Sequence, residues 1–422
     1  MTAESLSRPT VVEVCAGAGG QSLGLHKAGF DHLLAVEIDV TAADTLRQNL
    51  GMPVVVGDVA DPNVWNPADY ADVALLAGGV PCPPFSAAGK QLGTSDERDL
   101  FAWAIEQIPI MRPKAIMLEN VRGLASPRFA AYRQRILDRL DFFGYVGEWK
   151  LLHAADFGVP QLRPRFVLVA MPLEEMQFFH WPEPIAGART TVGDALHPLM
   201  AADGWKFADE WRDMANDIGP TLVGGSKKHG GADLGPTRAK QAWAKLGVDG
   251  RGVADSRPGP DAPPPSVVQP RLSIEMAARI QGWVQEDNYV FSGRKTSQYR
   301  QIGNAFPPPV AKAIGDSIRE ALGHRGPIRT DLSAGIGTQD PVYRALSRSA
   351  QPLTLEELVA AFNEGSVAAV QQRLAALQRD FHLEVLDDNG TLKYRLGEFR
   401  GFTGQSDHWR HEAVAKFRSR VS

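Results

Sequence analysis

From residue 10 to residue 172, short aliphatic runs alternate with amphipathic stretches. The runs are TVVEVCAG, HLLAVEID, VVVGDV, VALLAGG, KAIMLENV and RFVLVAMP, and most close on Gly, Asp or Asn. Aliphatic runs bounded by turn residues predict buried strands. Between the fourth and fifth, DLFAWAIEQIPIMR sets Leu100, Trp103, Ala104 and Ile108 at helical spacing. Strand, helix, strand at this rhythm predicts a parallel α/β sheet with ligands at the carboxyl ends of its strands.

The texture changes at about Leu173. Residues 173–270 are rich in Gly, Pro, Trp and charge and end in the proline-rich connector RPGPDAPPPSVVQP. Helical periodicity returns in RLSIEMAARIQGW and VAKAIGDSIREAL, joined by YRQIGNAFPPP. A last unit spans 331–422. Its LTLEELVAAFN opens on a Thr354/Glu357 capping box, SVAAVQQRLAALQRDF is a second helix, and LEVLDDNGTLKYRL alternates around the turn signal Asn389-Gly390. Helix, helix and hairpin predict a small α+β, winged-helix-like module with Gln371, Gln372, Gln378 and Arg379 as candidate DNA contacts. Eleven basic against 12 acidic residues there keep a dimerisation or packing module equally open.

Two cysteines, Cys15 and Cys82, cannot build a disulfide framework or a four-cysteine zinc site, so a reducing compartment is the simpler expectation. The N-terminal MTAESLSRPT lacks the apolar core of a signal peptide, and no apolar run reaches the roughly 18 residues of a membrane span. The expected location is the cytoplasm, with no membrane partner. A formal charge of −4 argues against a protein that coats nucleic acid, yet leaves room for a local basic groove.

Three places carry candidate chemistry. The first strand runs into Ala16-Gly17-Ala18-Gly19-Gly20, where the backbone can approach a ligand or merely turn tightly. Ser22 stands where a dinucleotide fingerprint needs its third glycine, so a nicotinamide reading fails. Glu37 and Asp58 close the next two strands, an order that suits adenosine: ribose hydroxyls for Glu37, the adenine amino group for Asp58. Either carboxylate alone is more often a solvated strand end; their joint order after a glycine loop favours the adenosine reading. Cys82 sits between Pro81 and Pro83 in GGVPCPPFSAAGK, displayed on a loop instead of lying in an apolar core. Deprotonating a thiol of ordinary pKa at pH 7 costs only about 2 kcal/mol. Glu119, closing the fifth strand, is either a helix cap or an acid worth about 10²- to 10⁴-fold.

In this order the motifs VCAGAGG, VEID, GDV, GGVPCPPFSAAGK, DERDLF, LENV, DFGVPQLRPR, RLSIEMAARIQGW and QIGNAFPPPVAKAI resemble the DNA cytosine carbon-5 methyltransferases, over about 10–172 and 270–322. The resemblance implies a Rossmann-like, doubly wound methyltransferase sheet (1–172), an inserted target-recognition domain (173–270), a segment returning to the catalytic unit (271–330) and the appended module (331–422). It implies S-adenosyl-L-methionine as cofactor, held by Cys15, Gly17, Ala18, Gly19, Gly20, Glu37, Ile38, Asp58, Val59, Leu100 and Asn304. Cys82 would add to carbon 6 of a flipped cytosine, with Glu119 at ring nitrogen 3 and Arg163 and Arg165 positioning the base. Two departures stand out. Pro83 follows the cysteine where many members have Gln, and Cys15 stands where the cofactor loop commonly begins with Phe.

Duplex DNA is the implied partner. Ser86 and Lys90 beside the nucleophile are candidate contacts, as are Lys227, Lys228, Arg238 and Lys240, in a stretch where six cations meet only Asp233 and Asp249. Thr237, His229 and Trp243 interleave with them as candidate phosphate and base-edge contacts. A cognate restriction endonuclease fits as a biological partner. The competing readings are a transfer-RNA cytosine-5 methyltransferase and a non-catalytic DNA-binding regulator.

Overall fold

The aliphatic runs do form strands. In the computed structural model the order is β1 (Thr10–Val14), α1 (Gly20–Lys27), β2 (Asp31–Glu37), α2 (Val40–Leu50), β3 (Val54–Val56), β4 (Leu75–Gly78), α3 (Arg98–Glu106), α4 (Ile108–Met111), β5 (Ala115–Val121), α5 (Ala130–Phe142), β6 (Tyr145–His153), β7 (Pro164–Pro172) and α6 (Leu173–Met176). The structure describes residues 8–81, 98–187, 189–224, 232–330, 332, 340–362, 366–388 and 390–399. Cys82, Ser86, Lys90, Lys227, Lys228, His229 and Asn389 lie outside them.

The seven strands pair in the order β3-β2-β1-β4-β5-β7-β6. Strands β1 to β5 are parallel. Val11, Val12, Val14, Leu75, Leu76, Ile116 and Met117 are all fully buried, as a parallel sheet covered on both faces requires. The order reverses between β1 and β4, which opens a crevice beyond their carboxyl ends.

Two features depart from the expected parallel sheet. RFVLVAMP becomes β7, but it runs antiparallel to β5 and to its hairpin partner β6. A seventh strand, β6 (YVGEWKLLH), stands outside the aliphatic pattern. As the edge strand of the sheet it is only half-buried along most of its length, so it carries no aliphatic run.

Beyond β7 the helices are α7 (Val192–Ala201), α8 (Ala208–Met214), α9 (Thr237–Lys245), α10 (Ile274–Gln281), α11 (Lys295–Asn304) and α12 (Pro308–Leu322). Trp205, Trp211 and Trp243 from 173–270 share one hydrophobic cluster with Met276, Trp283 and Tyr299 and with Ala18, Leu23 and Ala42 beside the glycine loop. Trp243 is fully buried, so it packs the core and is not a base contact. Helix α12 lies directly on α1: a Cβ at Gly24 would meet Ala311 Cβ and Pro308 O at 2.5 Å. Only glycine permits that approach.

The last described unit contains α13 (Pro341–Arg348), β8 (Leu353–Thr354), α14 (Leu355–Ala361), α15 (Val367–Asp380), β9 (Phe381–Asp388) and β10 (Thr391–Phe399), with strand order β8-β10-β9. The Thr354/Glu357 capping box forms as expected. Val342, Tyr343 and Leu346 of α13 join the cluster that holds Ile136 and Leu140 of α5, and the Tyr343 hydroxyl lies against Asp138 and Arg135.

Candidate active site

The crevice holds a cavity of about 780 Å³ with a smaller one of about 180 Å³ beside it. The parallel strands deliver groups to the walls near where their aliphatic runs stop. Cys15 directly follows β1, and its φ of 51° is a left-handed conformation uncommon for a side-chain-bearing residue. Gly17 and Gly19, at φ 59° and 84°, complete the turn into α1.

At the end of β2, Glu37 accepts hydrogen bonds from Gly17 N (2.7 Å) and Asp39 N (2.8 Å), tying the glycine loop to the second strand. Burial raises its pKa, and those amides partly offset the rise. Asp58, after β3, is buried and accepts from Ala60 N at 3.0 Å, while Trp65 Nε1 donates to Val59 O at 2.8 Å and steadies the same loop. Asp39 caps α2 through Thr41 N and Ala42 N, which orients the helix behind them.

Of the predicted cofactor residues, Cys15, Glu37, Ile38, Asp58, Val59, Leu100 and Asn304 line the larger cavity. Cys15, Gly17, Ala18, Gly20, Glu37 and Asn304 line the smaller. Gly19 lines neither; it is the N-cap of α1 and faces Tyr289 instead.

Of the predicted catalytic residues, Glu119, Arg163 and Arg165 line the larger cavity as well, while Cys82 lies outside the described residues. Glu119, at the end of β5, accepts from Arg165 Nε of β7 at 2.6 Å. Burial raises the Glu119 pKa, and the nearby Arg165 and Arg163 cations pull it back only in part. Gly79, on the way from β4 to Pro81, passes within reach of the Glu119 carboxylate, and Pro81 itself lines the cavity. Asn120 Nδ2 donates to Val80 O at 3.1 Å and anchors that stretch.

Arg163 is tied into the wall by backbone carbonyls. It is fully buried, donating from Nη1 to Leu222 O (2.8 Å) and from Nη2 to Gly303 O (2.8 Å) and Ala305 O (2.6 Å). Gln161 reinforces it: Nε2 donates to Ile280 O (2.8 Å) and Gln281 Oε1 (2.5 Å), and Oε1 accepts from Leu222 N (3.0 Å). Together they bolt Thr221–Gly224 and Gly303–Asn304 onto the cavity wall. Sequence reasoning quoted Gln161 inside DFGVPQLRPR but singled out only the arginines. Its buried partners, about 60 and 120 residues away, left no local signal.

Of the described candidate DNA contacts, Arg238 lies exposed on α9, and Lys240 is held by Asp233 at 2.7 Å. Arg251 and Arg271 both bind Asp249. Among the described residues no cluster suited to a metal ion occurs, and no helix is long and apolar enough to cross a membrane.

The walls fit a nucleoside joined to an amino acid. Carboxylates and apolar residues border the larger space. At the smaller one, open room lies where a Gly17 Cβ would stand. Glu13 Oε1 and both amide atoms of Gln21, which are buried and have no protein partner, belong to residues lining it.

A family model for C-5 cytosine-specific DNA methylases matches residues 10–320. The chain is 59% identical over 414 residues to the Type II methyltransferase M.NaeI of Lentzea aerocolonigenes, covering 98% of this chain and 99% of that protein. It is 48% identical over 317 residues to the Type II methyltransferase M.NgoMIV of Neisseria gonorrhoeae, covering 74% of this chain and 98% of that one. The solved S. pombe Dnmt2 methyltransferase aligns at a TM-score of 0.50 and 17% identity over 75% of this chain and 99% of that one, a likeness of fold alone. Family and fold imply an S-adenosylmethionine-type methyl donor. The chain belongs to the C-5 cytosine-specific DNA methylases.

Proposed function

We propose that the protein transfers a methyl group from S-adenosyl-L-methionine to carbon 5 of cytosine within a specific duplex DNA sequence, as the modification half of a restriction system. The reading rests on one cavity lined together by Pro81, Glu119 and Arg165 and by Glu37, Asp58 and Leu100. Its biological setting follows the names of the Type II relatives. A restriction endonuclease of the same specificity is the expected partner, and the cytoplasm the expected location.

The donor supplies a methyl group made electrophilic by its sulfonium. Glu37 and Asp58 would hold its ribose and adenine, between Ile38, Val59 and Leu100, with Gly17, Gly20 and Gln21 beside its amino-acid end. Cytosine is a poor nucleophile at carbon 5 until a thiolate adds at carbon 6. Cys82, bonded to the cavity-lining Pro81, has the chemistry for that addition. Glu119 would protonate or hydrogen-bond ring nitrogen 3 as electron density moves toward carbon 5. Loss of the carbon 5 proton after methylation then expels the thiolate. Arg165, beside Glu119, would face the base, while Arg163 keeps the wall in place. The base must leave the duplex to reach this site, at a cost of a few kcal/mol. Residues 173–270 would choose the sequence, with Arg238 and the basic stretch before it on the phosphates.

Labelled donor offered to unmethylated duplex DNA and, separately, to transfer RNA tests the reading. The expected result is 5-methylcytosine in duplex DNA and none with Cys82→Ser. Label on RNA alone would overturn it.

A further inference from the structure

The chain between α10 and α11 crosses the outer side of α1, α2 and the glycine loop, and polar contacts pin it there. Asn49 Nδ2 donates to Val290 O and Asn49 Oδ1 accepts from Val290 N, each at 2.7 Å. Ser292 N donates to Thr45 Oγ1 at 2.9 Å, Gln301 Nε2 donates to Ser292 O at 2.9 Å, and Lys27 pairs with Asp287. These contacts grip the helices. One more grips the loop itself: the Tyr289 hydroxyl donates to Ala18 O at 2.7 Å.

Tyr289 is built to stay there. Its ring packs against Trp283 and Phe291, with centroids 5.6 and 5.3 Å away. Burial drives its pKa well above that of an ordinary phenol, so the hydroxyl keeps its proton and remains a donor. A Cβ at Gly19 would collide with that hydroxyl, so the glycine is what lets the ring close over the loop. Tyr289 lines neither cavity and works from behind.

The peptide group explains what this contact does. A trans peptide points its C=O and N–H to opposite sides. With the Ala18 carbonyl held outward, the Gly19 N–H turns inward and donates to Ala16 O at 3.2 Å. That closes the turn whose Gly17, Ala18 and Gly20 form the wall of the smaller cavity.

We propose that Tyr289 is a positioning residue for the methyl donor, its hydroxyl holding the Ala16–Gly20 turn in the form that receives the donor's amino-acid end. The inference rests on the S-adenosylmethionine reading above. Its test compares binding of S-adenosylhomocysteine with that of 5′-methylthioadenosine, which lacks the amino-acid end, to the full chain by calorimetry. In Tyr289→Phe the ring stays and the Ala18 carbonyl loses its donor. S-adenosylhomocysteine should bind about 5- to 30-fold more weakly, with 5′-methylthioadenosine changed less than about twofold. KM for the donor should rise in step while kcat at saturating donor holds within about twofold. Lys27→Met loosens the same segment away from the loop and should lower the melting temperature without that selective loss. Unchanged S-adenosylhomocysteine binding in Tyr289→Phe, or equal losses for both ligands, would overturn the assignment. A wild-type chain that binds neither ligand would overturn the donor reading beneath it.

Discussion

Glu119 is pulled two ways: burial favours its protonated form, and the arginine cations favour its carboxylate, with burial ahead. A raised pKa means that the side chain keeps a proton to higher pH than an ordinary carboxyl, as a donor to ring nitrogen 3 requires. As pH rises through that raised value the proton is lost, and turnover falls with it. Glu119→Gln should therefore lower kcat by about 10²- to 10⁴-fold and remove that high-pH decline from its kcat profile, measured at saturating donor and DNA. A variant with wild-type kcat would contradict the role. The strand-end acids were legible in the sequence because each stops an aliphatic run. The work of Arg163 was not, because its three acceptors lie 59 to 142 residues away. Trp243 was misread for a related reason: a basic stretch invites a nucleic-acid reading, yet one face of a basic helix still packs a core.

At the scale of elements, the cofactor loop is set by helix packing as much as by its own glycines. Gly20 meets the Phe306 carbonyl and Gly24 meets α12, so α1 cannot move without the C-terminal segment. Gly24→Leu should force the helices apart, costing about 1–3 kcal/mol in a chemical denaturation series, and should weaken S-adenosylhomocysteine binding in the same variant. Unchanged stability would mean that α12 yields at no cost. The parallel strands were legible because burial on both faces leaves uninterrupted aliphatic runs. β6 escaped because an edge strand mixes Glu148 and Lys150 with its apolar residues, and the reversal of β7 is a matter of topology that composition does not encode.

At the scale of the molecule, the halves of the chain close on each other. Leu222 and Gly303, 81 residues apart, are drawn to one guanidinium, and a single hydrophobic cluster runs from the glycine loop through Trp205, Trp211 and Trp243. Motif order made that return of the C-terminal segment readable, whereas the docking of α13 on α5 left no trace in the pattern. The six cations of the basic stretch within 173–270 overstate the free charge there, since Lys240 and Arg251 are held by Asp233 and Asp249. The central claim is covalent catalysis by Cys82, and duplex DNA carrying 5-fluorocytosine tests it most directly. Fluorine in place of the carbon 5 hydrogen leaves no proton to lose, so the thiolate cannot be expelled after methyl transfer. The account predicts a denaturation-resistant protein–DNA adduct that requires S-adenosylmethionine and is absent in Cys82→Ser. Methylation of ordinary DNA by the wild-type protein with no such adduct, or an adduct that survives in Cys82→Ser, would contradict it.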